Sequence, residues 1–160
     1  MPDVRPAGPG DSDAIWPLLE PVFRGGDTYT VDTGISREAA LAYWMAPGNH
    51  VFVADDGAVL GTYYLKRNQG GGGAHVCNCG YVTATEARGR GVARAMLAHS
   101  LEQARNLGFR AMQYNFVVAT NTRAIETWKR AGFREVGRLP GAFNHPAKGF
   151  VDALVMWKDL

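Results

Sequence analysis

Arg88-Gly89-Arg90-Gly91-Val92-Ala93-Arg94 puts three cations and two glycines into seven residues. The run lies between an expected strand, Val76 to Thr83, and an expected amphipathic helix. Glycines there let the backbone approach a ligand closely, and the free N–H groups of a helix's first turn form an anion site. The three arginines add positive charge around it. The run is not a phosphate-binding P-loop, because no Gly-Lys-Ser/Thr follows. It is not the dinucleotide fingerprint either, because Arg94 stands where Gly-x-Gly-x-x-Gly needs its third glycine. A tight turn with surface arginines is the plain alternative.

Two asparagines form the second candidate constellation. Asn78 and Asn115 each sit mid-strand among apolar neighbours, on strands expected to be adjacent. A buried amide needs partners or costs about 1–3 kcal/mol. Their joint placement points to a contact with a polar substrate or a developing oxyanion. Neither can act as a base. His75, Cys77 and Cys79 alternate along one strand face and invite a metal reading. Ligands at i, i+2 and i+4 of an extended strand span about 13 Å, too far for one Zn²⁺. Small buried residues are the better account of the two cysteines, and no metal is expected. His50 and His145 have no identifiable partner, and helical spacing puts His99 on the solvent side of its helix.

The elements that must carry these residues alternate along the chain. Val4 to Pro6 reads as a short strand, and Asp11 or Ser12 caps a helix whose Ile15, Leu18, Leu19 and Val22 recur at helical spacing. Pro17 and Pro21 inside it predict a kink or interruption. Ser36 caps a second short helix with Ala40, Tyr43 and Trp44 on one side. His50 to Ala54 and Val59 to Lys66 flank the hairpin turn Asp55-Asp56-Gly57. Asn68 to Gly73 is a glycine-rich loop before the Val76–Thr83 strand. After the arginine–glycine turn come a helix with Val92, Met96, Leu97, Leu101 and Ala104 on one face, a strand from Phe109 to Val118, a helix from Asn121 to Ala131, and strands Phe133 to Arg138 and Phe150 to Trp157. The class is α/β, or α+β, with a mixed sheet.

The 160 residues suit a single domain, 1–160, with a core that needs no staples. Hydrophobic residues are 46% and charged residues 20%, which excludes a disordered or fibrous chain. No apolar run reaches the roughly 20 residues of a membrane span, and the first residues lack the apolar stretch of a secretory signal. Two cysteines make no disulfide framework, so a reduced, cytoplasmic protein is expected, without membrane association. The charge is uneven. Residues 1–80 hold 5 Lys/Arg against 9 Asp/Glu, a balance of −4, and residues 81–160 hold 12 against 6, a balance of +6. A basic second half suits an anionic ligand but is too sparse for a nucleic-acid surface.

With these residues in place, the chain resembles the GNAT acetyltransferase superfamily. The signature Gln/Arg-x-x-Gly-x-Gly/Ala is met by Arg88, Gly91 and Ala93, with further matches at Asn121-Thr122-Arg123-Ala124 and Trp128 to Phe133. The likeness runs through residues 4–138 and is most specific over 76–138. It implies a mixed central sheet flanked by helices, with two parallel strands splayed apart. It implies acetyl-CoA as co-substrate, its pyrophosphate on the backbone of Arg88, Gly89, Arg90, Gly91, Val92, Ala93 and Arg94. It also implies a pantetheine arm along Tyr81, Val82 and Thr83, with Asn121 contacting the coenzyme. Many relatives place a tyrosine acid where this chain has Trp128. Indole gives up no proton, so Trp128 reads as a wall of the coenzyme pocket.

Asn78-Cys79-Gly80, Asn115-Phe116-Val117 and Val151-Asp152-Ala153 add a closer resemblance, to the yeast acetyltransferase acting on the proline analogue azetidine-2-carboxylate. It implies a small amino- or imino-acid acceptor, and the mid-strand placement of Asn78 and Asn115 makes them the candidate catalytic pair. The expected activity is N-acetylation by direct attack of an amine on the thioester, with a backbone N–H near Val82 polarising the carbonyl. Alternatives are a protein, peptide or antibiotic amine as acceptor, or a coenzyme A-binding module without catalysis. No nucleic-acid partner is expected, and a homodimer is left open.

Overall fold

The computed structural model describes residues 2–160. Seven strands form one sheet: β1 (Asp3–Pro6), β2 (His50–Asp55), β3 (Val59–Arg67), β4 (Val76–Thr83), β5 (Ala111–Val118), β6 (Arg134–His145) and β7 (Gly149–Asp159). Their spatial order is β1-β2-β3-β4-β5-β7-β6. Four helices flank it: α1 (Ser12–Gly25), α2 (Arg37–Trp44), α3 (Val92–Asn106) and α4 (Thr122–Arg130). The mixed sheet and flanking helices are those expected.

Aromatic packing seats α1 and α2 on one sheet face. Phe23 of α1 meets Trp44 of α2, and the Trp44 indole donates to Thr62 of β3 at 3.1 Å. The Thr62 hydroxyl donates onward to the Phe52 carbonyl at 2.8 Å, so a buried polar pair is fully satisfied. On the opposite face Ser100 of α3 and Trp128 of α4 pack on Tyr81. The core between these layers includes Ile15, Leu19, Val53, Leu65, Met96, Met112 and Met156.

Neither proline interrupts α1, which runs unbroken from Ser12 to Gly25. Pro17 and Pro21 lie on its exposed side, where water can solvate the carbonyls that their missing N–H groups leave free. The sixth strand is longer than the expected Phe133 to Arg138 and continues through Pro140 to His145. Its register slips between Leu139 and Phe143, so Pro140 sits in a bulge and owes the ladder no donor. The carboxylate of Asp152 on β7 holds that bulge, accepting from the Gly141 N–H at 2.9 Å and from Arg138 at 3.1 Å.

Among the described residues the only parallel contact pairs β4 with β5, and it is short. Val76 lies beside Ala111 and Cys77 beside Met112, and there the register ends. Beyond it β5 stays with β7 and bulges between Tyr114 and Val117. The two strands therefore part after the second of the eight residues of β4.

Candidate active site

Strand alternation decides which backbone groups face the gap. The Ala84 N–H donates to Leu60 and the Asn68 N–H to Val76, and the register places Val82 opposite Thr62. Even-numbered residues of β4 thus spend their backbone groups on β3, including Val82. His75 offers its carbonyl to Arg110 on the other side, so Cys79, Tyr81 and Thr83 point into the gap. The N–H near Val82 that can meet a carbonyl is that of Tyr81 or Thr83, since Val82's own N–H is spent on β3. The Tyr81 carbonyl is already met by the Tyr29 hydroxyl at 3.0 Å.

At the far end of β4 the arginine–glycine turn is built as its composition requires. Gly89 and Gly91 adopt φ of 78° and 82°, a region costly for residues with a Cβ. Gly91 is the N-cap of α3 and no side chain caps it. The first helical bond runs from Ala95 N–H to Gly91 C=O, which leaves the N–H groups of Val92, Ala93 and Arg94 ahead of the ladder. Arg88, Arg90 and Arg94 are exposed around it. Arg90 lies 3.7 Å from Asp56 in an exposed pair that adds little. Asn121 caps α4 by position but makes no capping bond, which leaves its amide free for a ligand.

The α3/α4 side of the gap is filled by rings. Tyr81 and Tyr114 lie 5.2 and 4.9 Å from Trp128, and Phe133 stacks on Tyr114 at 4.5 Å. The Tyr81 hydroxyl is within 2.7 Å of Ser100 Oγ and 3.1 Å of the Tyr114 hydroxyl. Burial holds both phenols well above their ordinary pKa, so they stay protonated. Trp128 is half-buried among them.

The α1/α2 side carries the Tyr64 ring and a set of polar side chains. Tyr64 lies across Gly80, where an added Cβ would stand 2.8 Å from the ring's Cζ. Tyr43 and Trp44 meet the edges of that ring. Next along β3 is Lys66, its ammonium 5.7 Å from the Tyr64 centroid and its cross-strand partner Asn78. Asn78 is buried, as expected, and its amide donates to the Gln113 carbonyl at 2.9 Å. Asn115 departs from expectation, because it is exposed where β5 bulges away from cover. It donates to Asn68 at 2.6 Å and accepts from Gln113 at 2.9 Å, so the two asparagines share a face without bonding each other.

Two other readings change, those of His75 and His99. His75 precedes β4 and is exposed, so it does not continue the Cys77–Cys79 row. Burial pushes the Cys77 thiol up to about 12, and no cluster of metal-binding side chains occurs among the described residues. His99 does not face solvent. Its Nδ1 lies 2.7 Å from the Tyr63 hydroxyl and its ring packs on Phe52, because α3 rolls that side onto β2 and β3. Tyr29, Tyr64 and Lys66 escaped the sequence reading. Tyr29 sits in a non-periodic loop, and strand alternation marked Tyr64 and Lys66 only as one face of β3.

The comparisons with known proteins agree with this geometry. The model of the acetyltransferase (GNAT) family matches residues 14–133. The N-acetyltransferase aca1 of Schizosaccharomyces pombe is 33% identical over 104 residues, 61% of this chain, and the match spans 47% of that relative's length. A GCN5-related N-acetyltransferase from Kribbella flavida is 40% identical with a TM-score of 0.93, over 99% of this chain and 97% of that one. A phosphinothricin acetyltransferase from Sinorhizobium meliloti, solved with AcCoA, shares the fold at 23% identity and TM-score 0.87, over 99% and 88% of the two chains. A family match over most of the chain, a splayed β4–β5 pair and an uncapped glycine-led helix agree: this chain belongs to the acetyltransferase (GNAT) family, a family of acyltransferases.

Proposed function

We propose that residues 1–160 act as one acetyl-CoA-dependent N-acetyltransferase domain whose acceptor is the amine of a small molecule, an amino or imino acid. The observation that carries this reading is the parting of β4 from β5 after two residue pairs, beside the exposed first turn of α3. A pantetheine arm can take up the hydrogen bonds that β5 leaves unmade on Cys79, Tyr81 and Thr83. The pyrophosphate suits the N–H groups of Gly91, Val92, Ala93 and Arg94, with Arg88 and Arg90 adding charge. Asn121 and Trp128 border the same coenzyme from α4.

In the ternary complex the neutral amine attacks the thioester carbonyl carbon. The N–H of Tyr81 or Thr83 stabilises the oxyanion, the C–S bond then breaks, and the sulfur leaves as thiolate. The ammonium proton passes to water. Thiolate with a pKa near 8.5 is a fair leaving group, so the missing tyrosine acid is a tolerable loss. Asn78 and Asn115 line the acceptor's approach. The test is release of free thiol from acetyl-CoA with a panel of amines that includes proline-like imino acids, peptides and aminoglycosides. Turnover confined to small amino or imino acids supports the reading. Turnover of peptides or antibiotics alone, or coenzyme binding without any turnover, refutes it.

A further inference from the structure

The acceptor must come to the gap from the α1/α2 face, because Tyr81, Tyr114, Trp128 and Phe133 pack the opposite one. That face carries a polar stripe over three neighbouring strands: Lys66 and Asn68 on the β3 side, Asn78 on β4, and Gln113 and Asn115 on β5. Four members are neutral amides and one is an ammonium. None is a carboxylate. Lys66 is half-buried, and no carboxylate lies within 4 Å of it among the described residues, whose ion pairs all lie elsewhere. The Tyr64 ring beneath its ammonium fixes where the charge stands. With its stem along the sheet and its ammonium unpaired beside neutral amides, Lys66 offers its charge to an anion.

We infer that Lys66 is the specificity-determining residue of the acceptor site and binds a carboxylate carried on the acceptor, while that molecule's amine reaches the thioester between β4 and β5. The inference rests on the proposed N-acetyltransferase reading and deepens it. Lys66 and Asn78 are directly opposite across the β3–β4 ladder, where β4 and β5 last touch. A simple amine or an amino-acid amide offers Lys66 nothing to neutralise.

The experiment compares each amino or imino acid of the panel with its own primary amide, in the wild-type protein, Lys66→Met and Lys66→Arg. Calorimetry of acetyl-CoA binding and melting curves are run on the same preparations. For the acid, Lys66→Met should raise KM by about 10- to 100-fold, the scale of a lost charge-assisted hydrogen bond. Its KM for the amide, its acetyl-CoA affinity and its melting temperature should stay near wild type, and Lys66→Arg should regain most of the loss. Equal effects on acid and amide, or none on either, overturn the assignment of Lys66 while the acetyltransferase reading stands. A wild-type protein that prefers the amide overturns it too. Failure of the wild type to acetylate either partner of any pair overturns both readings, and is recognised before a variant is made.

Discussion

The amide of Asn78 donates to the backbone carbonyl of Gln113 at 2.9 Å, a side-chain rung set one residue beyond the last parallel pair of β4 and β5. It lets the strands part without leaving that carbonyl unmet. Asn78→Ala should therefore cost about 1–2 kcal/mol and lower the melting temperature by about 2–6 °C. It should also lower kcat/KM by about 10²-fold if Asn78 meets the acceptor, while acetyl-CoA affinity changes little. Normal kinetics in the folded fraction would leave Asn78 only its strand-bridging role.

Gly80 faces the Tyr64 ring with no room for a methyl group. Because Trp44 also packs edge-on against that ring, the ring cannot swing away freely. Gly80→Ala should destabilise by about 1–3 kcal/mol and raise the acceptor's KM. Combining it with Tyr64→Leu should recover stability without recovering KM. Denaturant melts and kinetics on both variants check this.

Gly91 combines a left-handed φ of 82° with the N-cap position of α3. Gly91→Asn adds strain alone, since asparagine tolerates that region, whereas Gly91→Asp also sets a negative charge against the pyrophosphate. Calorimetry should find acetyl-CoA binding at least about 10-fold weaker in the Asp variant than in the Asn variant. Equal affinities would refute an anion site there.

Trp128→Phe keeps an aromatic ring against Tyr81 and Tyr114 while removing the indole N–H and part of the wall's area. Most of kcat should survive, with a modest rise in the acetyl-CoA KM. A kcat loss beyond about 10²-fold at unchanged binding would show that a proton donor had been removed.

Burial raises the pKa of Tyr64, Tyr81, Tyr114 and Cys79, so none of them becomes a base near neutral pH. The rate at low acceptor concentration should rise with unit slope in pH and level at the amine's own pKa. Two acceptors whose amines differ by about two pKa units should show inflections displaced by the same amount. A fixed inflection shared by both would reveal an enzyme base instead.

What the chain determined locally could be read without the fold. The arginine–glycine turn, the helix after it and the expected order of strands all follow from periodicity and from glycine's freedom at positive φ, properties of neighbours in sequence. The extent of the sixth strand could not be read that way, since Pro140 ends a strand locally but is harmless in a bulge that Asp152 holds from β7. Tertiary structure alone decided that Val82 spends its N–H on β3 while Tyr81 and Thr83 keep theirs, because the choice depends on which neighbour each edge of β4 meets. It alone exposed Asn115 and buried Asn78, through the bulge that turns β5 toward β7. Lys66 is one alternating position among several in the sequence. Only the sheet brings it opposite Asn78 and leaves its charge without a partner, because strand pairing joins residues that the chain holds far apart.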